Sequence, residues 1–189
     1  MAVDLPEVHA RSLDATRVLV AGVGDGQWSD ISDCDDWTVR ELVNHVVSGN
    51  WWAEALAGGK TIAEVGDELD GDLLGDDPVA AYDASAAVAA AVFRVPGAMD
   101  APCAVSYGPV PGSVYCGHRF LDVLIHGWDI ARSTGQDTAL APDLVDACWE
   151  MLEPQLEQLQ ASGAFGTAIA VGDDADPQTR LLAVLGRRA

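Results

Sequence analysis

The chain has 189 residues, in which 30 Asp and Glu stand against 10 Lys and Arg, a formal net charge of -20 at pH 7. A surface that acidic repels polyanions, which argues against nucleic acid and anionic membranes as partners. Hydrophobic residues make up 49% of the chain, enough for one good-sized core, and a single domain over residues 1–189 is expected.

No apolar run reaches the roughly 18 residues that a membrane-spanning helix needs. No basic segment followed by an apolar stretch opens the sequence, so no signal peptide is read and a cytoplasmic location is expected. Cys34, Cys103, Cys116 and Cys148 are scattered, with no C-x-x-C pair. That favours free thiols over disulfides and excludes a zinc knuckle.

Helical periodicity dominates. The first helix is expected over about Asp4–Val23, with Leu5, Val8, Leu13, Val18 and Leu19 as its apolar positions and glycines at its end. An acidic, turn-rich link follows. The second helix starts at a capping box, "TVRE", in which Thr38 accepts from first-turn amides and Glu41 reaches back. Val39, Leu42, Val43, Val46, Val47 and Ala53 then recur with helical spacing up to Gly58–Gly59. Residues 58–77 are rich in Gly and Asp and read as a long loop. Asp77–Pro78 opens a third, Ala-rich helix that runs to about Val95.

Residues 98–115 carry prolines and glycines and read as loop or short extended structure. A long helix then begins near Cys116 and ends at Gly135. Another is expected over about Pro142–Ala161, kinked or split at Pro154, and a short last one over about Pro177–Leu185. Strands are scarce. The fold class is all-α, a four-helix bundle with additional short helices.

The long helix holds the stretch "RFLDVLIHGWDIARSTG". With His118 at zero on a helical wheel, Asp122 falls at about 40°, His126 at about 80° and Asp129 at about 20°. Leu121, Leu124, Ile125 and Trp128 begin immediately beside this stripe, so it borders the core. Asp and His one turn apart can chelate one metal ion. A third ligand must come from another helix, and His45 sits at the edge of its own apolar face, above Gly49. His45, Asp122 and His126 would give two imidazoles and one carboxylate with open positions, a catalytic type of coordination. The bland alternative is a buried, satisfied His45 and a surface Asp–His pair.

Other residues have two readings as well. His118 is either a further ligand or a general base, or an exposed residue near the helix start, and it stays outside the ligand set. Asp129 and Arg132 either support the site or form a surface salt bridge at i, i+3. Trp37, Trp51, Trp52 and Trp128 either line a pocket or pack the core. Cys34 reads as structural, because Asp33, Asp35 and Asp36 oppose the thiolate. His9 reads as an exposed helix residue.

Three blocks, "DCDDWTVRELVNHVVSGNWW", "FLDVLIHGWDIARSTG" and "DDADPQTRLLAVLGRRA", resemble actinobacterial metal-binding proteins of the DinB-like superfamily. The nearest relatives in kind carry the mycothiol-dependent maleylpyruvate isomerase N-terminal domain. The resemblance implies a DinB-like four-helix bundle. It also implies a divalent metal ion, commonly zinc or nickel, held by His45 of the second helix and by Asp122 and His126 of the later one. Asp122 departs from the superfamily, which usually places His or Glu there.

The same resemblance implies a metal-dependent transferase or isomerase that uses a low-molecular-weight thiol such as mycothiol on a small electrophilic substrate. The alternative is a non-catalytic metal- or small-molecule-binding bundle, a sensor or a sequestering resistance protein. Purely structural interaction is a third option, in which the polar stripe is accidental. A homodimer paired through exposed apolar helix faces is the one candidate assembly.

Overall fold

The computed structural model describes residues 3–34, 37–156 and 166–189. The chain divides into two compact units, Asp4–Thr138 and one built mainly from Ala139–Ala189. The first holds four long helices: α1 (Leu5–Ala21), α2 (Val39–Ala57), α4 (Pro78–Val92) and α5 (Gly112–Thr134). A single-turn helix α3 (Ile62–Val65) and a hairpin of β1 (Pro102–Val105) and β2 (Gly108–Pro111) lie between them in sequence. The architecture is all-α, a four-helix bundle with short additions, as the periodicity implies.

Each long helix packs against two others, α1 on α5, α5 on α2, α2 on α4 and α4 on α1. Leu13, Leu42, Val46, Tyr82, Phe93 and Val123 fill the space that this ring encloses. The interior is also crossed by polar bonds. The Thr16 hydroxyl donates to the Val123 carbonyl at 3.1 Å, and the Tyr82 hydroxyl donates to the Leu13 carbonyl at 2.9 Å. Asn50 donates to Ser85 at 3.2 Å, although both are fully buried. These bonds offset the cost of burying the polar groups that make them.

Local chemistry explains the helix ends. Asp4 accepts the Glu7 amide at 3.3 Å and so caps α1. The Thr38–Glu41 capping box is complete, with the Thr38 amide donating to Glu41 at 2.8 Å. Gly135 takes φ +70°, a left-handed conformation that closes α5.

Several sequence expectations need correction. Val18 is 65% exposed, and the buried face of α1 carries Val8, His9, Leu13, Thr16 and Val20 instead. His9 is fully buried and meets the Phe93 ring edge-on at 5.4 Å. Helix α5 starts at Gly112, a turn earlier than expected, because the preceding prolines and glycines form a hairpin paired from Pro102–Pro111 to Val105–Gly108. The 58–77 loop contains α3, which has its own capping box between Thr61 and Glu64.

In the second unit, α6 (Pro142–Leu152) gives way to a 3-10 turn over Glu153–Gln155 that takes up Pro154. The expected continuation over 157–161 lies outside the described residues, as do Asp35 and Asp36. Helix α7 (Pro177–Val184) starts where Asp176 accepts the Thr179 amide at 3.0 Å. No helix among the described residues is long and apolar enough to cross a membrane.

Candidate metal centre

Helices α2 and α5 pack together and bring three side chains to one point. The His45 Nε2 lies 3.4 Å from Asp122 Oδ1, and the His126 Nε2 lies 3.6 Å from the same oxygen. The two imidazole rings stand edge to face, 4.8 Å between centroids. The three groups each offer a ligand atom within 4.8 Å of the others.

Those spacings suit a shared cation. Two ligands about 2.1 Å from one ion at a tetrahedral angle are about 3.4 Å apart. The observed Nε2 to Oδ1 separations sit near that value and are longer than a tight hydrogen bond.

Other residues orient these three side chains. The His126 Nδ1 donates to Asp129 Oδ2 at 3.0 Å, and Asp129 is fully buried. That bond assigns Nδ1 to the carboxylate and leaves Nε2 for the cluster, the carboxylate–histidine arrangement common behind metal ligands. Arg119 donates from Nη1 to Asp122 Oδ2 at 3.0 Å, which occupies one carboxylate oxygen and leaves Oδ1 facing both histidines. The Arg119 guanidinium lies against Gly49 of α2, where any Cβ would collide with it. The space above Gly49 is therefore filled by Arg119.

The electrostatics follow from these contacts. Burial pushes the Asp122 carboxyl up, but Arg119, His126 and His45 together hold it well below the usual carboxylate range. Burial pushes the His126 imidazole down, and Asp122, Asp129 and Cys34 more than offset this, so it is raised above its ordinary value. In the protein alone, Asp122 is thus an ionised carboxylate between a guanidinium and a proton-holding imidazole. A divalent ion fits the same groups once that proton leaves, since ligand imidazoles bind neutral.

Cys34, which the sequence marks as structural, is buried at the site's edge, its Sγ 3.9 Å from His126 Nδ1. Cys34, His126 and Asp129 form a second close group of possible ligand atoms. It would need the same Nδ1 that already donates to Asp129 at 3.0 Å, so the His45–Asp122–His126 group is the better candidate for a cation.

Trp37 lies over His45, 4.9 Å between ring centroids. Trp52 lines a cavity of about 360 Å³ together with His45, Ser48, Tyr115, His118 and Asp122. The other two tryptophans pack: Trp51 lies against the core and Trp128 is 2% exposed. Arg132 does not pair with Asp129. It donates to Asp33 at 2.9 Å and lies 5.4 Å over the Trp128 ring.

Residues 9–131 match the family described as the mycothiol maleylpyruvate isomerase N-terminal domain. The chain belongs to that family, within the DinB-like superfamily. The matched span holds His45, Asp122, His126, Asp129, Arg119 and the cavity residues. Two uncharacterized proteins of Mycobacterium tuberculosis, one from strain CDC 1551 / Oshkosh and one from strain ATCC 25618 / H37Rv, are similar to this chain. Each is 39% identical over 136 residues, which is 72% of this chain and 70% of theirs. No solved structure matches significantly.

Proposed function

We propose that His45, Asp122 and His126 hold one divalent metal ion and that the chain is a metal-dependent transferase or isomerase. Its reagent would be a low-molecular-weight thiol of the mycothiol type, and its substrate a small electrophile. The observation that carries this reading is the single oxygen, Asp122 Oδ1, approached by both His45 Nε2 and His126 Nε2 while a buried Asp129 holds the far nitrogen of His126. Two nitrogen ligands and one oxygen suit zinc or nickel. The three-ligand set and the adjoining cavity suit catalysis better than a closed structural site.

When bound, such an ion supplies a Lewis acid and lowers the pKa of a thiol or water in contact with it. The chain's own residues do the rest. Arg119 keeps Asp122 oriented and ionised. Trp52 and Tyr115 give the cavity apolar walls for a small organic substrate. Membership of a family named for mycothiol supports the choice of thiol and, with it, a cytoplasmic setting.

Elemental analysis of purified protein beside His45→Ala tests the metal site. A stoichiometric ion, present in the wild type and lost in the variant, is expected. Absence of metal from both, even after reconstitution with zinc and with nickel, sinks the reading. Conjugation of mycothiol to 1-chloro-2,4-dinitrobenzene by the zinc-loaded protein tests the chemistry. Binding of metal and thiol without turnover would instead identify a sensor or sequestering bundle.

A further inference from the structure

The chain has four histidines. His45 and His126 belong to the proposed metal site, and His9 is sealed in the core. His118 has no task in that account, yet it lines the same cavity as His45 and Asp122. It lies one turn before Asp122 on α5, so both side chains reach the same face.

His118 is also held in place. Its Nδ1 is 3.1 Å from the Tyr107 hydroxyl, with ring centroids 6.1 Å apart. Tyr107 sits in the two-residue turn between β1 and β2 and is 67% exposed. The hairpin, which the sequence shows as loop or short extended structure, therefore delivers a phenol to the cavity histidine. Among the described residues Nε2 of His118 has no hydrogen-bond partner.

Protonation decides what such a pair can do. Burial, aided by Arg119, keeps the His118 imidazole below its ordinary pKa, so it is neutral at pH 7. A neutral imidazole has one N–H and one lone pair. The exposed phenol can donate its O–H hydrogen bond to water while its oxygen accepts one from the His118 Nδ1–H. That tautomer leaves the lone pair on Nε2, in a residue that lines the cavity.

Resting on the thiol reading above, we propose that His118 is a proton-accepting catalytic residue of this cavity, with Tyr107 as its positioning residue. Nε2 takes the proton of the thiol S–H. The sulfur keeps the electron pair and uses it to attack the electrophile. With 1-chloro-2,4-dinitrobenzene as the probe, an S–C bond forms and the C–Cl bond breaks. Chloride leaves with its electron pair, and the proton passes from His118 to water. Nothing is oxidised or reduced, and His118 ends as it began.

Two measurements test this. In the first, zinc-loaded protein with 15N-labelled histidine is examined by NMR, with the four rings assigned by substitution. The expected His118 is neutral with Nδ1 protonated, and Tyr107→Phe moves it toward the Nε2–H form. A wild-type His118 carrying its proton on Nε2 overturns the proposal. In the second, mycothiol conjugation is compared at equal zinc content. His118→Gln is expected to lose about 100-fold in rate, near the lower end of general acid–base contributions. His118→Ala should regain part of this when free imidazole is added. A His118→Gln rate equal to wild type also overturns the proposal. If the zinc-loaded wild type conjugates no thiol, the thiol reading falls and the proton step with it. If His45→Ala conjugates as fast as wild type, the metal part of the thiol reading falls while the His118 step stands.

Discussion

Asp129 accepts the Nδ1 proton of His126 at 3.0 Å from a fully buried position. One turn of α5 thus supplies both the imidazole and the carboxylate that fixes its tautomer. The negative charge also makes the ring a better donor to a cation. Asp129→Asn keeps the shape and an accepting oxygen but removes the charge. Its expected effect is a fall in zinc affinity of about 10- to 100-fold. Competition with a chromophoric chelator measures it. Wild-type affinity in the variant would mean that ring orientation alone matters there.

Gly49 and Arg119 make a second, steric prediction. A methyl group at Gly49 would run into the guanidinium, which bonds Asp122 at 3.0 Å and approaches Asn50 at 3.5 Å. Gly49→Ala should therefore destabilise the protein by about 1–3 kcal/mol, the usual range for overpacking. Urea unfolding measures this. Arg119→Ala alone leaves Asp122 without its nearest cation and is destabilising too. In the double variant the added methyl has room, so the two effects should fall well short of adding.

The helix frame could be read from local chemistry because its signals are local. Thr38 with Glu41, Asp77 with Pro78, and Gly135 mark ends through groups a few residues apart. Helical spacing also sets the faces of His45, Asp122 and His126, and the packing of α2 on α5 brings the three together. What could not be read depends on contacts between distant segments. The approach of Cys34 to His126 needs the link before α2 to fold against α5. Arg119 does not follow from spacing alone, although an Arg three residues before Asp122 and a Gly on the partner helix both stand in the sequence. His9 is polar yet buried and Val18 is apolar yet exposed, because contacts with distant segments, not polarity alone, decide burial. Short extended structure over 98–115 is legible, but its pairing into a hairpin is not, because prolines stand at Pro102, Pro109 and Pro111 within the two strands.

The Thr38 cap tests whether the site depends on the entry to α2. Thr38→Ala removes the acceptor for the Glu41 amide, a bond of 3.2 Å, and the hydroxyl partner of the Glu41 carboxylate. The loss should be about 1 kcal/mol, typical for an N-cap. His45 lies two turns further along the helix, so metal content at saturating zinc should not change. Thermal unfolding and elemental analysis together check this. A variant that lost metal in proportion to stability would show that the start of α2 is part of the site.

Burial of His9 makes the fold more sensitive to acid. Its ring is fully buried, and neither nitrogen has a hydrogen-bond partner among the described residues. Burial, helped by Arg119 and Arg94 and opposed by Asp122, lowers its pKa from 6.5 to about 3. The folded chain therefore keeps His9 neutral while the unfolded chain takes up a proton as pH falls below 6.5. In that window the unfolded state binds more protons, so stability falls with pH. At pH 5 the loss from this residue is about 2 kcal/mol relative to neutral pH, and it grows until the pH reaches about 3. His9→Leu removes the titration and the two unpaired nitrogens at similar volume. The variant should match or exceed wild-type stability at pH 7, and its advantage should widen by about 2 kcal/mol at pH 5. Urea unfolding of both proteins from pH 7 to pH 4 measures the difference, in which the many surface carboxylates cancel. Parallel stability curves for the two proteins would mean that His9 takes up a proton inside the folded bundle.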